Sequence, residues 1–535
     1  MRYSIFRGVT VVVILVGVGL SGDLLWPNPA RWNLSAQPEC TITRGNNPET
    51  GNQDALARIL ATSNPCPRNV VELRQQIASR GGTFATAFIN NRGFHNPNRG
   101  SFSLFEVVTG NLQSIGRVSD GEFFFGHFTT SAGQRLILDQ IPAPSDRLLM
   151  VEAIVWDPAK SLFNFYELFG IGSGRSWDYK GDSADILTET ARLHLERPQG
   201  APSITRTLLR CASCHVNGGP IMRELAPPHN DWWTAARTLP AGGLEFDNQI
   251  TAIATGFVDG DRLAAGVRAG LTKLVASAAF QAAVTRRSLQ EQLRPLFCPA
   301  ELNLESDAAP LDNNLPTTLV PSALLVDSRL AQAPLAVARA DYVAALRSTG
   351  SRFPDIDRAD ADRAWFGPVK ATSDQMRVQS LIDAKLIDEE FVADVLAVDF
   401  TNPVLSKGRC ALLKRVPQQA TPDWRDRFLT ALKASTDANA KDLVANLTIA
   451  DMTAASHRQR GGRFLAACAE KLKTREFAVA ALTLVQQRRE EVRDNDISKG
   501  QGGMILEPGF KVIFPEPSKK PTPGAHTLSP SCLIS

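Results

Sequence analysis

The chain has 535 residues, 43% hydrophobic and 21% charged, with 58 basic against 55 acidic side chains for a formal net charge of +3. This composition excludes a disordered chain and a bundle of membrane spans, and a balance so near neutral offers no electrostatic footprint for nucleic acid. The length allows two or more domains and favours a small-molecule or cofactor function.

The N-terminus reads MRYSIFRGVTVVVILVGVGLSGDLL, with Arg2 and Arg7 ahead of an apolar run from Val9 to Leu20. A basic stretch followed by a short apolar one is the pattern of an export signal, and the run falls short of the roughly 20 residues that a membrane span needs. Residues 1–36 are therefore read as an export signal ending at Leu34-Ser35-Ala36, or as a membrane anchor if that site is not cut. Export places the protein in the periplasm or otherwise outside the cytoplasm, in an oxidising compartment where cysteines pair. Outside one cluster, six cysteines remain: Cys40, Cys66, Cys298, Cys410, Cys468 and Cys532. Their connectivity is not fixed by sequence. Cys40 with Cys66 would close a short N-terminal loop, and Cys410 with Cys468 would tie two helical segments.

Residues 37–80 form an N-terminal extension and 81–200 a β-rich domain. There SFSLFEVVTGN, GEFFFGHFTT, RLILDQI, LLMVEAIVWD and SLFNFYELFG read as successive strands of an antiparallel sheet, separated by NPNRG, DG, APSD and DPAK. Gly170 to Gly174, GIGSG, lacks the third glycine of a dinucleotide loop and is read as a turn.

The period changes after residue 245. Leu263, Val267, Leu271, Leu274 and Val275 form the stripe of an amphipathic helix within a helical domain, 246–492. Ser373 and Asp388 are the expected N-caps of two further helices, and FLAACAEKL and AVAALTLVQQ continue the pattern. Pro299 to Ser322, with four prolines and no sustained period, is expected to be a loop, and the tail 493–535 to be poorly ordered. The fold class expected is α+β: an antiparallel β-rich N-terminal half, then a segment 201–245, then a mainly helical C-terminal half.

That middle segment carries LLRCASCHVNGGPIMRELAPP, Leu208 to Pro228. Of only eight Cys and seven His in the chain, three stand at Cys211, Cys214 and His215. Spacing i, i+3 puts two thiols on one face of a helical turn, with an imidazole projecting beside them. In this run the chain resembles the c-type cytochromes, over 201–245 and not beyond. The resemblance implies one covalent haem c, with thioethers at Cys211 and Cys214 and His215 as proximal iron ligand. It also implies a backbone carbonyl, from Gly219 or Pro220, that accepts the imidazole Nδ1 proton and fixes the ring.

For the sixth iron position Met222 is too close in sequence to travel around a porphyrin edge. His229, Met376, Met452 and His457 stay as candidates, alongside an open site. His127 and Tyr166 on strands, and Trp232 and Trp233, could border the haem or simply pack elsewhere. Strands ahead of a late C-x-x-C-H run are also distantly similar to the β-type cytochrome c′ group and to relatives whose haem is linked to a lysine. There Lys160 and Lys180 are the residues to consider, with an ordinary surface role as the alternative. A remote rival is zinc, because His194 and Glu196 ahead of Cys211 and Cys214 are reminiscent of the zinc deaminases. Arg210 stands where those enzymes have proline, and His215 has no part in that scheme.

Two function classes follow from the resemblance: an exported monohaem electron carrier, or a haem-dependent oxidoreductase or gas-binding protein with an open, peroxidase-like distal face. The partner is a redox protein or a small-molecule electron donor or acceptor, not nucleic acid, and a membrane only if residues 1–36 are retained. If the export reading holds, deleting residues 1–22 leaves the protein in the cytoplasm without covalent haem; fractionation followed by haem staining of a denaturing gel checks this.

Overall fold

The computed structural model describes residues 40–91, 101–128, 130–132, 135–137, 148–171, 174–196, 215–220, 230–233, 245–299, 301–307, 315–353, 358–359, 364–493, 517–519, 521–522 and 524–535. Its organising element follows from side-chain alternation. In a strand successive residues point to opposite faces, so the run Phe123-Phe124-Phe125 places Phe123 and Phe125 in one core and Phe124 in another. A sheet apolar on both faces must be covered on both.

The elements up to residue 297 are β1 (Ile42–Arg44), β2 (Asn47–Pro48), α1 (Ala55–Ala61), α2 (Val70–Ala78), β3 (Thr83–Asn91), β4 (Ser101–Leu112), β5 (Gly116–Val118), β6 (Phe123–Phe128), β7 (Thr130–Ala132), β8 (Arg135–Ile137), β9 (Leu148–Asp157), β10 (Leu162–Ile171), β11 (Gly174–Asp182), α3 (Ser183–Glu196), β12 (Asn230–Trp233), β13 (Glu245–Phe246), α4 (Asn248–Ala254), α5 (Gly260–Ala276), α6 (Ala278–Thr285) and α7 (Leu289–Phe297). Among the described residues ten strands make one sheet in the order β12-β3-β4-β6-β9-β10-β11-β1-β2, with β5 beside β4. The five stretches read as strands all carry one, and LLMVEAIVWD coincides with β9. The sheet is mixed rather than wholly antiparallel, because β1 joins β11 in parallel. GIGSG joins β10 to β11, which pair antiparallel from Ile171 and Gly174 onward, so it links two strands and not a strand and a helix.

One face buries Phe88, Leu104, Phe123, Tyr166 and Trp177 under α1, α2 and Ile250 of α4. The other buries Val107, Phe124, Phe163 and Phe165 under α3, α5 and α6. The predicted stripe of α5 does this work: Leu263, Val267, Leu271 and Leu274 are each at most 4% exposed, worth about 1.5 to 3 kcal/mol apiece as buried aliphatic side chains. Helices expected to belong to a separate helical domain thus cover the sheet, and Glu39 to Ser535 hold together as one unit. Among the described residues no single helix is long and apolar enough to cross a membrane.

The remaining elements are β14 (Leu302–Asp307), β15 (Thr317–Val320), β16 (Leu335–Ala338), α8 (Arg339–Thr349), β17 (Arg352–Phe353), β18 (Arg358–Ala359), β19 (Ala364–Lys370), α9 (Thr372–Asp383), α10 (Glu389–Ala397), α11 (Lys407–Leu412), α12 (Trp424–Lys433), α13 (Ala438–Thr448), α14 (Ala454–Lys471) and α15 (Arg475–Arg493). They enclose a third core running from Leu289 to Cys532. The α+β class therefore stands, with strands gathered in the N-terminal half and helices in the C-terminal half. Asp388 is the N-cap of α10, accepting from the Phe391 amide at 2.8 Å.

Three expectations are corrected. Pro299–Ser322 is not simply a loop, since it contains β14, paired with β19, and β15, paired with β16. Ser373 is not an N-cap: Ala371 holds that position in α9 without a side-chain bond, and the Ser373 hydroxyl donates to Glu301 instead. The end of the tail is ordered, with His526 bonded to Gln487 and Cys532 fully buried; residues 494–516 lie outside the described residues.

The cysteines pair as Cys40–Cys66, Cys298–Cys410 and Cys468–Cys532. The first pair is as expected. Cys410 does not reach Cys468, because each is taken by a partner on another element. Cys468 and Cys532 lie 64 residues apart in sequence, and closing a loop of that size restricts the unfolded chain by about 4 kcal/mol. Replacing both by alanine is expected to lower the unfolding free energy by about that amount in urea titrations.

Candidate functional site

Residues 215–220, HVNGGP, run between the sheet and the C-terminal core, and Val216 to Pro220 are all buried. A buried loop has to satisfy its backbone locally or through side chains. Here the Gly218 amide donates to the His215 carbonyl at 2.7 Å, closing a tight turn. Gly218 has φ +73°, and a Cβ there would stand 2.8 Å from the Ser183 carbonyl, so the turn requires glycine. A Cβ on Gly219 would meet Leu274 at 2.9 Å and Leu271 at 3.0 Å, which is how closely α5 covers the loop.

The turn folds the chain back under the imidazole of His215, whose Nδ1 lies 2.8 Å from the Gly219 carbonyl oxygen. A carbonyl can only accept, so Nδ1 carries the proton and, in the neutral ring, Nε2 carries the lone pair. The ring also meets Phe165 of β10, centroids 5.4 Å apart at 57°. These features fit an imidazole prepared to ligate a metal through Nε2, with its tautomer set by a backbone acceptor.

Asn217 anchors the same turn from the other side. Its Nδ2 lies within donating distance of Glu301 Oε2 at 3.0 Å, Ser373 Oγ at 3.1 Å and Asp374 Oδ1 at 2.9 Å, and its Oδ1 accepts from Arg377 Nη1 at 2.9 Å. The Glu301 amide donates to Asp374 at 3.2 Å. Arg287 and Arg294 both pair with Glu291 nearby. Burial, with the charge of Arg377 beside it, brings the Arg287 guanidinium down to about 9. Sequence reasoning did not single out Asn217, whose partners are at least 84 positions away.

The other predicted residues fall out as follows. Cys211, Cys214, Met222 and His229 lie outside the described residues. His194 and Glu196 lie in the last turn of α3, and His127 in β6 opposite Leu104. Trp232 and Trp233 are in β12 at the sheet edge, paired with Ile89 and Phe88. Among the described residues no group of three His, Cys, Asp or Glu side chains is arranged to hold a metal ion.

Tyr166 faces away from His215. It sits in the opposite core, where its hydroxyl donates to Asp54, because adjacent strand residues alternate and Phe165 takes the imidazole side. Burial, then the Asp54 carboxylate, raises the Tyr166 phenol well above its ordinary range. Lys160 is bound to Asn52 at 2.8 Å, Tyr179 at 2.9 Å and Asn164 at 3.1 Å. Lys180 pairs with Asp178 at 2.5 Å and Glu167 at 3.1 Å. Neither lysine is an ordinary surface side chain.

Of the described candidates for a sixth ligand, His457 is buried in the C-terminal core with Nε2 held 3.1 Å from Asp394. Met452 is 37% exposed at the turn before α14. Met376 lies in α9 between Asp374 and Arg377, which hold Asn217, and it packs against the core that contains Phe165.

No protein-family model, curated protein or solved structure matches this chain.

Gly218→Ala is expected to destabilise the protein by about 1 to 3 kcal/mol, the range for a strained backbone position. Equilibrium unfolding in urea measures it, with Gly462→Ala, where a Cβ meets nothing within 4 Å, as the control.

Proposed function

We propose that the chain is an exported c-type cytochrome that holds one haem c covalently and transfers electrons. The observation that carries this reading is the His215 imidazole at the end of a C-x-x-C-H run with Nδ1 bonded to the Gly219 carbonyl. That bond makes Nε2 the basic nitrogen and fixes the plane of the ring, which is what an iron ligand requires. Cys211 and Cys214 would supply the thioethers and His215 the proximal ligand. Bound there, a haem supplies a one-electron couple. The chain's own contribution is to orient the imidazole through Gly219, to pack Phe165 against it, and to keep the turn dry beneath α5. Three disulfides support an oxidising compartment and thus export.

The second reading is an open sixth position, as in a gas-binding or peroxidase-like haem protein. It is favoured by the engagement of His457 with Asp394 and the surface position of Met452, which leave Met376 as the described candidate that packs against the core containing Phe165.

The expected result is haem that stays with the polypeptide through denaturing electrophoresis and is lost in Cys211→Ala with Cys214→Ala. A haem-free protein with stoichiometric zinc would overturn the assignment. In the same preparation, a low-spin ferrous spectrum that carbon monoxide does not change, and that Met376→Ala abolishes, marks the electron carrier. Ready carbon monoxide binding by the unsubstituted protein marks the open site.

A further inference from the structure

The turn that carries Gly219 has two attachments, and the second is unusual in its chemistry. On one side it is packed by α5. On the other it is held by one uncharged side chain, Asn217, 3% exposed, set among Glu301, Asp374 and Arg377. An amide nitrogen has two protons, so three acceptors within 3.1 Å leave it no unused donor, while Arg377 occupies the amide oxygen. Glu301, Asp374 and Arg377 are ionisable and buried, so the bonds to them are charge-assisted, and the amide meets them in one orientation, nitrogen toward the carboxylates and oxygen toward Arg377. Ser373 takes part twice, accepting from Asn217 and donating to Glu301.

We propose that Asn217 is a positioning residue for His215: by bolting the turn to Glu301, just before β14, and to α9, it sets the place of the Gly219 carbonyl, hence the tautomer of the imidazole and the electron density on its Nε2. The part concerning the iron rests on the haem reading; the part concerning the ring does not. A carbonyl held against Nδ1–H draws that proton toward oxygen and raises electron density on Nε2, which favours the ferric ion over the ferrous. Release of the turn lets the carbonyl drift and the effect fade. With haem bound the midpoint potential then rises; without it the imidazole samples the Nε2–H tautomer.

The test uses the full-length secreted protein with ¹⁵N-labelled histidine, the His215 signals being assigned by their loss in His215→Asn. Asn217→Leu keeps the branched shape of the side chain and removes every one of its hydrogen bonds. Ser373→Ala removes one partner and leaves the rest. Val284→Ala, a buried residue of the core beneath the sheet with no part in the turn, is the stability control. The unsubstituted protein is expected to show only the Nδ1–H tautomer. In protein kept free of haem by Cys211→Ala with Cys214→Ala, Asn217→Leu is expected to show both tautomers; in the haem-loaded protein, where iron would occupy Nε2, it is expected to shift the ferric-to-ferrous equilibrium about tenfold toward ferrous, 59 mV for one electron, with Ser373→Ala intermediate in both. Val284→Ala is expected to lower the melting temperature and change neither. If Asn217→Leu does not fold, Ser373→Ala decides by the same two readouts. The proposal is overturned if the folded haem-free variants keep the unsubstituted protein's tautomer, or if Val284→Ala moves the haem-free tautomer and the haem-loaded potential as far as they do. Failure of the haem reading is seen separately, as an unsubstituted protein without haem, and the tautomer measurement then still decides the role of Asn217.

Discussion

Five consecutive residues, Val216 to Pro220, pass through the interior without forming a helix or strand. Backbone amides and carbonyls in such a place must be matched, since an unpaired buried group costs about 1 to 3 kcal/mol. Much of the architecture around the turn can be understood as meeting that requirement. Glycine at 218 and 219 admits the bend and the close approach of α5, while Asn217 and the His215 ring provide contacts that a sequence of small residues lacks. The His215 side chain is therefore not an ornament on the scaffold: its bond to Gly219 is one of the bonds that allow the loop to be buried.

The sheet contributes by separating two environments a single residue apart. Phe165 reaches the imidazole, whereas Tyr166 belongs to a polar cluster with Asp54, Asn164, Asp157 and Tyr179 on the far side. Asp54 is also the N-cap of α1, donated to by the Ala57 amide at 2.9 Å. Burial raises its carboxyl above the usual range despite these bonds. By linkage the protonated carboxyl favours the folded state below the ordinary carboxylate range, and that contribution is lost as pH rises through the elevated value. The cluster ties the N-terminal helix to the sheet at some electrostatic cost, and it keeps that cost away from His215.

The strands were legible because their aromatic and β-branched residues alternate between turn dipeptides, and α5 because Leu263, Val267, Leu271 and Leu274 repeat at helical spacing. The C-x-x-C-H run stands out because its spacing has chemical meaning, though Cys211 and Cys214 lie outside the described residues. What alternation could not give was its phase: nothing local says which face of β10 will be covered by α3, α5 and α6, so Phe165 and Tyr166 could not be told apart. β14 and β15 were hidden among prolines, their partners β19 and β16 lying further along the chain. Ser373 has the composition of a cap, but a buried carboxylate 72 positions away outcompetes the local amide. Asn217 is one more asparagine beside glycines until the fold brings Glu301 and α9 to it.

The disulfides have an order as well as a pattern. Leaving aside Cys211 and Cys214, the six remaining cysteines are joined as neighbours in sequence: first to second, third to fourth, fifth to sixth. In a chain that emerges N-terminus first, from a ribosome or through a membrane, each native partner is therefore the next of these thiols to arrive. Native connectivity can then be written by oxidation during emergence, without reshuffling. The waits differ: Cys298 is followed by its partner only after 112 residues, Cys468 after 64. The helical core is therefore locked last, when Cys532 reaches Cys468.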